Sequence, residues 1–293
     1  MHSLKKRIKG YFARLSLAEH IIYSIVFAVF LLQALYNLYY FFFTFMSGLK
    51  THDEIVISPF ALPEVWHWEN FIEIFSYLKV NGTSYWGMVF NSLYFATLGP
   101  LITQLTTALV AYTACKYVFP GSKLFYPFIL IMMTLPLYGS GGSLYLVIKR
   151  LGLIDSYLHI VLAFGGLNSF FLYYHALFKG VSDTYGEAAV IDGANDFTIY
   201  WKIMLPQAKG LFVALFVMGW LSEWNNYTGI LIYLPNLPTL AGGMYLCHND
   251  MMYDVRFDMV YAGYAVSAIP GLILFALFHE TMTTSISVGG VKE

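Results

Sequence analysis

Residues 187–206 read EAAVIDGANDFTIYWKIMLP, a mixed polar and apolar stretch set between two long hydrophobic runs. Crossing a bilayer takes about 20 consecutive, predominantly apolar residues, and this stretch is too polar and too broken for that. It predicts two short helices joined by a bend. Ala188 and Ala189 give the first helix a flat face, Val190 and Ile191 supply its bulk, and Gly193 offers a position without a Cβ where the backbone turns sharply. Asn195 or Asp196 is placed to cap a second helix over residues 197–205. In that helix Phe197, Tyr200, Trp201 and Met204 fall at i, i+3, i+4 and i+7 and form one apolar face, and Pro206 ends it. Such an element should lie across the membrane surface. Glu187 has two readings: a carboxylate offered to a partner, or the second half of a Thr184-x-x-Glu187 capping box.

Composition fixes the class around this stretch. The 293 residues are 58% hydrophobic, 19% aromatic and 11% charged, whereas soluble domains carry roughly 25% charged residues. The chain therefore reads as an all-α integral membrane protein. Its net charge of −1 gives no sign of a nucleic-acid partner. Cys115 and Cys247 are the two cysteines; the topology puts them on opposite faces, which predicts no intramolecular disulfide, and neither sits in zinc-site spacing.

Six apolar runs of spanning length organise residues 19–280. Residues 1–18 carry Lys5, Lys6, Arg7, Lys9 and Arg14 among Leu4, Ile8, Phe12 and Leu15 at helical spacing, an amphipathic segment on the cytoplasmic leaflet. The first span, 21–46, is too long for a signal-peptide core and reads as an uncleaved anchor. Residues 50–86 form an acidic outside interval with Trp66 and Trp68 suited to the interface. The second span is 88–114. The third, 124–148, is interrupted by Pro136 and by Gly139, Ser140, Gly141 and Gly142, which either permit close helix packing or break the helix beside a cavity. The fourth is 157–178, the loop 181–206 follows on the inside, and the fifth is 211–234. After a second outside loop, 235–258, in which Gly242 and Gly243 allow the chain to adapt its shape, the sixth span covers 259–278 with a kink expected at Pro270. Residues 281–293 are a cytoplasmic tail. Of the 16 Lys and Arg residues, this topology leaves Lys50, Lys79, Lys149, Arg150 and Arg256 outside and the other eleven inside, in agreement with the positive-inside rule.

The most polar cluster within a span is Glu223, Trp224, Asn225, Asn226 and Tyr227. An ionisable group at membrane depth costs about 2.5 kcal/mol or more, so it faces a partner or a water-filled path. The cluster suits a sugar, whose faces stack on aromatic rings and whose edges hydrogen-bond, and it suits equally a polar clamp to a neighbouring helix.

Glu187-Ala188-Ala189, then Asp192-Gly193-Ala194, then Leu205-Pro206, resembles the EAA motif of bacterial ABC importer permeases. With Trp201, Lys202 and Ile203 before the Leu-Pro, it is most similar to the carbohydrate-uptake branch of the maltose-permease G type. Asn91-Ser92, Leu109-Val110-Ala111-Tyr112, the Lys149 to Leu153 run, Pro238-Thr239-Leu240 and the glycine-rich tail resemble further signatures of that family. The family commonly has tryptophan-asparagine-aspartate where this chain has Trp224, Asn225 and Asn226, and Glu293 departs from its usual terminal glycine. The resemblance implies the six-helix type I ABC importer fold in a bacterial inner membrane, with both termini cytoplasmic. It implies that Glu187, Ala188, Ala189, Asp192, Gly193, Ala194, Leu205 and Pro206 belong to a cytoplasmic coupling helix. It also implies a second permease subunit, an ATPase dimer carrying ATP and Mg, and an extracytoplasmic sugar-binding protein; no cofactor is bound by this chain. The sequence has no Gly-x-x-x-x-Gly-Lys-Ser/Thr, so hydrolysis falls to another subunit. An ion-coupled secondary transporter would need ionisable residues along several spans, where Glu223 is nearly alone. An intramembrane enzyme would need a catalytic constellation, and the scattered histidines form none. A permease for a non-sugar solute stays open.

Overall fold

The computed structural model describes residues 16–135, 140–165, 169–250 and 256–287. The basic N-terminal segment, Pro136, Gly139, Asp254 and the tail from Val288 lie outside the described residues. In order, the helices are α1 (Leu17–Ser47), α2 (His52–Ile57), α3 (Asn70–Tyr77), α4 (Tyr85–Lys116), α5 (Ser122–Thr134), α6 (Ser140–Arg150), α7 (Phe170–Gly180), α8 (Thr184–Ile191), α9 (Asp196–Ile199), α10 (Lys209–Trp224), α11 (Tyr227–Tyr233), α12 (Leu240–Asp250) and α13 (Phe257–Ser287). A 3-10 helix covers Tyr157–Gly165, and strands β1 (Lys79–Val80) and β2 (Thr83–Ser84) form an antiparallel hairpin. The hairpin is a small departure from an all-helical chain. Its cause is Asn81-Gly82, both at positive φ, the pair that a two-residue type I′ turn demands.

Among the described residues three helices, Leu17–Ser47, Tyr85–Lys116 and Phe257–Met282, are long and apolar enough to cross a membrane. A fourth arises if Asp196–Gln207 and Lys209–Trp224, which meet at 77°, count as one. The remaining expected spans are made of shorter pieces. The third divides into α5 and α6, with Leu135 at ψ 114° because the residue before a proline is excluded from the helical region. A Cβ on Gly141 or Gly142 would meet nothing within 4 Å, so these two glycines serve no close packing among the described residues. The fourth divides into the 3-10 helix and α7, and the fifth is broken at Asn225 and Asn226.

The chain separates into two compact units. The first comprises the described part of Met1–Asn70 with Arg256–Ala265. Ser16 and Glu19 cap α1 reciprocally, and its side chains up to Phe42 are exposed on every face, as in a helix solvated by lipid or a partner. Its C-terminal end is closed by chain folding back. Lys50, 1% exposed, donates its Nζ protons to the Ser58 and Pro59 carbonyls at 3.0 and 2.9 Å. Asn70 donates to the Gly48 and Lys50 carbonyls, both at 3.0 Å.

The second unit comprises Phe71–Val255 with Val266–Glu293. Here α4 is the axis, with α7, α10 and the 3-10 helix packed along it. At its centre Gln104 donates to the Leu215 carbonyl at 3.3 Å and accepts from the Tyr174 hydroxyl at 2.9 Å, joining α4, α7 and α10. One turn away Gly219 faces Pro100, where a Cβ would lie 3.1 Å from the proline's own, so the two helices cross closely. At the other end, Asn91 donates to the Pro238 carbonyl at 2.9 Å and accepts from the Tyr157 hydroxyl at 2.7 Å, while Ser92 accepts from the Leu240 N–H at 2.7 Å. Two signatures read separately in the sequence thus bind each other. The expected adaptability of Gly242 and Gly243 is corrected: a Cβ on Gly243 would fall 2.2 Å from the Met88 Sδ, so this glycine serves close packing.

Candidate functional site

The segment after α7 is anchored from its first residues. Lys116, at the end of α4, donates to the Val181 carbonyl and to the Asp183 carboxylate, each at 2.6 Å. Asp183 then receives the Gly186 and Glu187 N–H groups on its own carbonyl, which starts α8. The capping box expected between Thr184 and Glu187 does not form. Asp183 occupies the cap, Thr184 is already inside the helix, and Glu187 projects outward.

α8 ends in a Schellman motif. The Gly193 N–H donates to the Val190 carbonyl at 3.0 Å, and the Ala194 N–H donates to the Ala189 carbonyl at 2.9 Å. Gly193 stands at φ +82°, the conformation this motif needs and in which a Cβ is penalised. Asn195 then caps the next helix by accepting the Thr198 N–H at 2.8 Å, so the cap is Asn195 and not Asp196.

The second helix departs from the expected register. α9 widens into a π-turn over Tyr200–Met204, closed by the Leu205 N–H on the Tyr200 carbonyl, and continues through Leu205–Gln207. Pro206 therefore does not end it. Wider spacing relieves the clash between a helical proline and the carbonyl four residues back, and the chain bends only after Ala208. The same turn splits the predicted apolar face. Ile199, Tyr200 and Met204 are buried against Tyr112, Phe178 and Leu211, whereas Phe197 and Trp201 stay exposed with ring centroids 5.9 Å apart.

One side of the segment is thus locked into the bundle and the other is free. Ala189 points inward at 7% exposure and Ala194 packs on the same core. Glu187, Ala188, Val190, Ile191 and Asp192 are exposed, Ile191 by 86%. Hollows of about 640 and 500 Å³ flank the segment, one lined by Thr184, Ala188 and Ile203, the other by Lys116, Glu187 and Val190. In the second hollow the Tyr117 hydroxyl, hydrogen-bonded with Tyr112 and Asp196, is held well above the usual phenol range, first by burial.

A cavity of about 610 Å³ opens between α4, the 3-10 helix, α7 and α10. Of the five residues in the polar cluster only Glu223 lines it. Asn226 donates to both Glu223 oxygens, at 3.2 and 3.4 Å, and turns its own oxygen to the Gly229 N–H to cap α11. Trp224 faces away: it is buried, stacked on Trp220 at 4.8 Å, and donates to the Ser267 carbonyl of α13. Asn225 bonds back to Leu221, and Tyr227 stacks on Tyr245 at 4.6 Å. A sugar in this cavity would not meet Trp224 or Tyr227. The polar lining that joins Glu223, namely Thr103, Gln104, His159 and Ser222, comes with it from three separated places in the chain, 103–104, 159 and 222–223, and no sequence spacing signals it.

Apolar helices around a polar cavity, with a bent, half-exposed element projecting beside them, define a membrane permease subunit. The sequence signature of the binding-protein-dependent transport system inner membrane component matches residues 109–287, and the chain belongs to that family. It is similar to the diacetylchitobiose uptake system permease protein of Streptomyces coelicolor, at 27% identity over 95% of this chain and 88% of that one. It is similar also to the arabinooligosaccharides transport system permease protein of Bacillus subtilis, at 28% identity over 90% of this chain and 93% of the relative. In fold it resembles a chain from the crystal structure of a bacterial ABC transporter involved in import of the acidic polysaccharide alginate. That likeness has a TM-score of 0.75 at 23% identity and covers 91% of this chain and 98% of the other.

Proposed function

We propose that this permease imports a sugar or oligosaccharide, with residues 181–206 as the handle through which a separate ATPase dimer drives alternating access. The observation that carries the reading is the two-sidedness of that segment: Ile199, Tyr200 and Met204 sunk in the core, Glu187, Ala188 and Ile191 bare on the outside. A push on the outer face is delivered to α4, α7 and α10 because the inner face is packed on them. Small alanines suit insertion into a cleft, and the Glu187 carboxylate suits a basic or amide partner at its wall. The sugar class is supported by what the two relatives are named for.

In this reading α1, α4, α5 with α6, the 3-10 helix with α7, α10 with α11, and α13 are six spans in the inner membrane, with both termini cytoplasmic. A second permease subunit completes the pathway, ATP and Mg bind on the ATPase, and a sugar-binding protein docks outside on the loop that Asn91 and Ser92 fasten. Purified complex in proteoliposomes tests it: uptake of a labelled oligosaccharide should require ATP on the ATPase side and binding protein on the other. Uptake driven by an ion gradient without ATP would overturn it.

A further inference from the structure

The cavity beside Glu223 is lopsided in its chemistry. Its volume, about 610 Å³, falls within the roughly 300–1,000 Å³ of small-ligand sites, and Phe95, Pro100 and Phe170 give it apolar walls. Its polar groups are nearly all acceptors. Glu223 is pinned by a single amide, Asn226 Nδ2, and keeps unused lone pairs on both oxygens. His159 has Nδ1 3.3 Å from the Leu153 carbonyl; a carbonyl only accepts, so the neutral ring carries its proton there and leaves Nε2 bare. Thr103 already gives its hydroxyl proton to the Ala163 carbonyl and can only accept from a ligand. Gln104 accepts from Tyr174 and gives one amide proton to Leu215, which leaves it a single further N–H. Ser222 is the one hydroxyl free to rotate, and no Lys or Arg lines the cavity among the described residues.

We infer that this cavity is a saccharide subsite on this subunit's own wall, with Glu223 as the residue that selects neutral or amino sugars and rejects uronates. The inference rests on the import function proposed above and adds the substrate class to it. Hydroxyl and ammonium donors find acceptors on three sides; a carboxylate meets the Glu223 carboxylate with only the Ser222 hydroxyl and one Gln104 N–H to offset it and, among the described residues, no cation, and like charges at close range in a low-dielectric site repel strongly.

The test uses the complete transporter with Cys115 and Cys247 replaced and Ser222→Cys introduced, reacted with a cationic and an anionic methanethiosulfonate of similar size. Rates are normalised to a free thiol. The cationic reagent should react faster by about tenfold, Glu223→Gln should bring the two rates together, and cellobiose should slow the reaction where cellobiouronic acid does not. Equal rates in the native background, or protection by the uronate as good as by cellobiose, would overturn the inference. So would a thiol that neither reagent reaches in any nucleotide state. ATP-driven sugar uptake measured on the same preparation separates the two levels: if uptake persists while these results fail, the subsite falls and the permease function stands; if no sugar is taken up, both fall.

Discussion

The Ala194 N–H donates to the Ala189 carbonyl at 2.9 Å, and this one bond accounts for much of the residue choice in the stretch around it. It closes the six-residue loop of a Schellman motif, so residue 193 takes a positive φ, which glycine adopts at least cost. It also brings residues 189 and 194 together on the core side, where both are alanine and both pack on the bundle. The result is an elbow with a small-residue inner surface packed on the bundle.

Gly193 is where that elbow is most easily spoiled without disturbing packing. A Cβ there meets no atom within 4 Å, so the cost of a side chain is backbone strain alone, about 1–2 kcal/mol. Gly193→Asn, which tolerates the left-handed region, should keep most transport. Gly193→Asp, which adds a third carboxylate between Asp192 and Asp196, should lose transport with the ATPase subunits still co-purifying. Disappearance of the complex from the membrane would show that the glycine serves folding instead.

Tyr174→Phe should destabilise the permease by about 1–3 kcal/mol, because it leaves the Gln104 oxygen buried without its donor. Thermal unfolding of the detergent-solubilised complex measures it. Adding Gln104→Leu should cost less than the two single changes summed, since the orphaned acceptor is gone. Strict additivity would mean that the pair is not coupled.

Asn91→Ala removes the bond to the Pro238 carbonyl and the acceptor of the Tyr157 hydroxyl together. Hydrogen exchange of residues 238–243 should quicken, and affinity for the binding protein should fall, while ATPase assembly is unchanged. Unaltered exchange in that loop would show that Ser92 and close packing at Gly243 suffice to hold it.

The loop that follows α1 should soften in acid. The Thr51 N–H at 2.8 Å and the Glu64 N–H at 2.9 Å hold the Glu54 carboxyl below the usual glutamate range. A depressed carboxyl stabilises the fold above its unfolded value, about 4.3, and that contribution disappears as pH falls through the lowered folded value. Exchange of residues 51–64 should therefore rise below about pH 4, and Glu54→Gln should flatten the dependence. A pH-independent native loop would contradict the assignment.

Composition and the bend were legible before any coordinates. Gly193 and Asn195 do what their chemistry dictates, because a positive φ and a side-chain cap are local demands. The register beyond Tyr200 was not legible: the π-turn that accommodates Pro206 shifts the side chains that follow, and Phe197 and Trp201 lie outside a face that spacing alone would close. Continuity of the spans was misjudged for a related reason, since hydropathy averages over Leu135 and over Asn225, where the helix stops. The cavity was half visible. Glu223 stood out as a charge in an apolar run, but Trp224 beside it turns to α13, a choice made by packing, and Thr103 and His159 meet it only through the packing of α4 and the 3-10 helix beside α10.

The claim on which the rest depends is that the outer face of residues 181–206 is gripped by the ATPase on the cytoplasmic side. A cysteine at Ala188, in a chain freed of Cys115 and Cys247, measures it directly through zero-length cross-linking to single cysteines along the ATPase groove. The prediction is a cross-link whose formation locks transport and which membrane-impermeant reagents added outside intact cells cannot block. A residue 188 thiol that such reagents label from outside, or that captures no ATPase while transport proceeds, would contradict it.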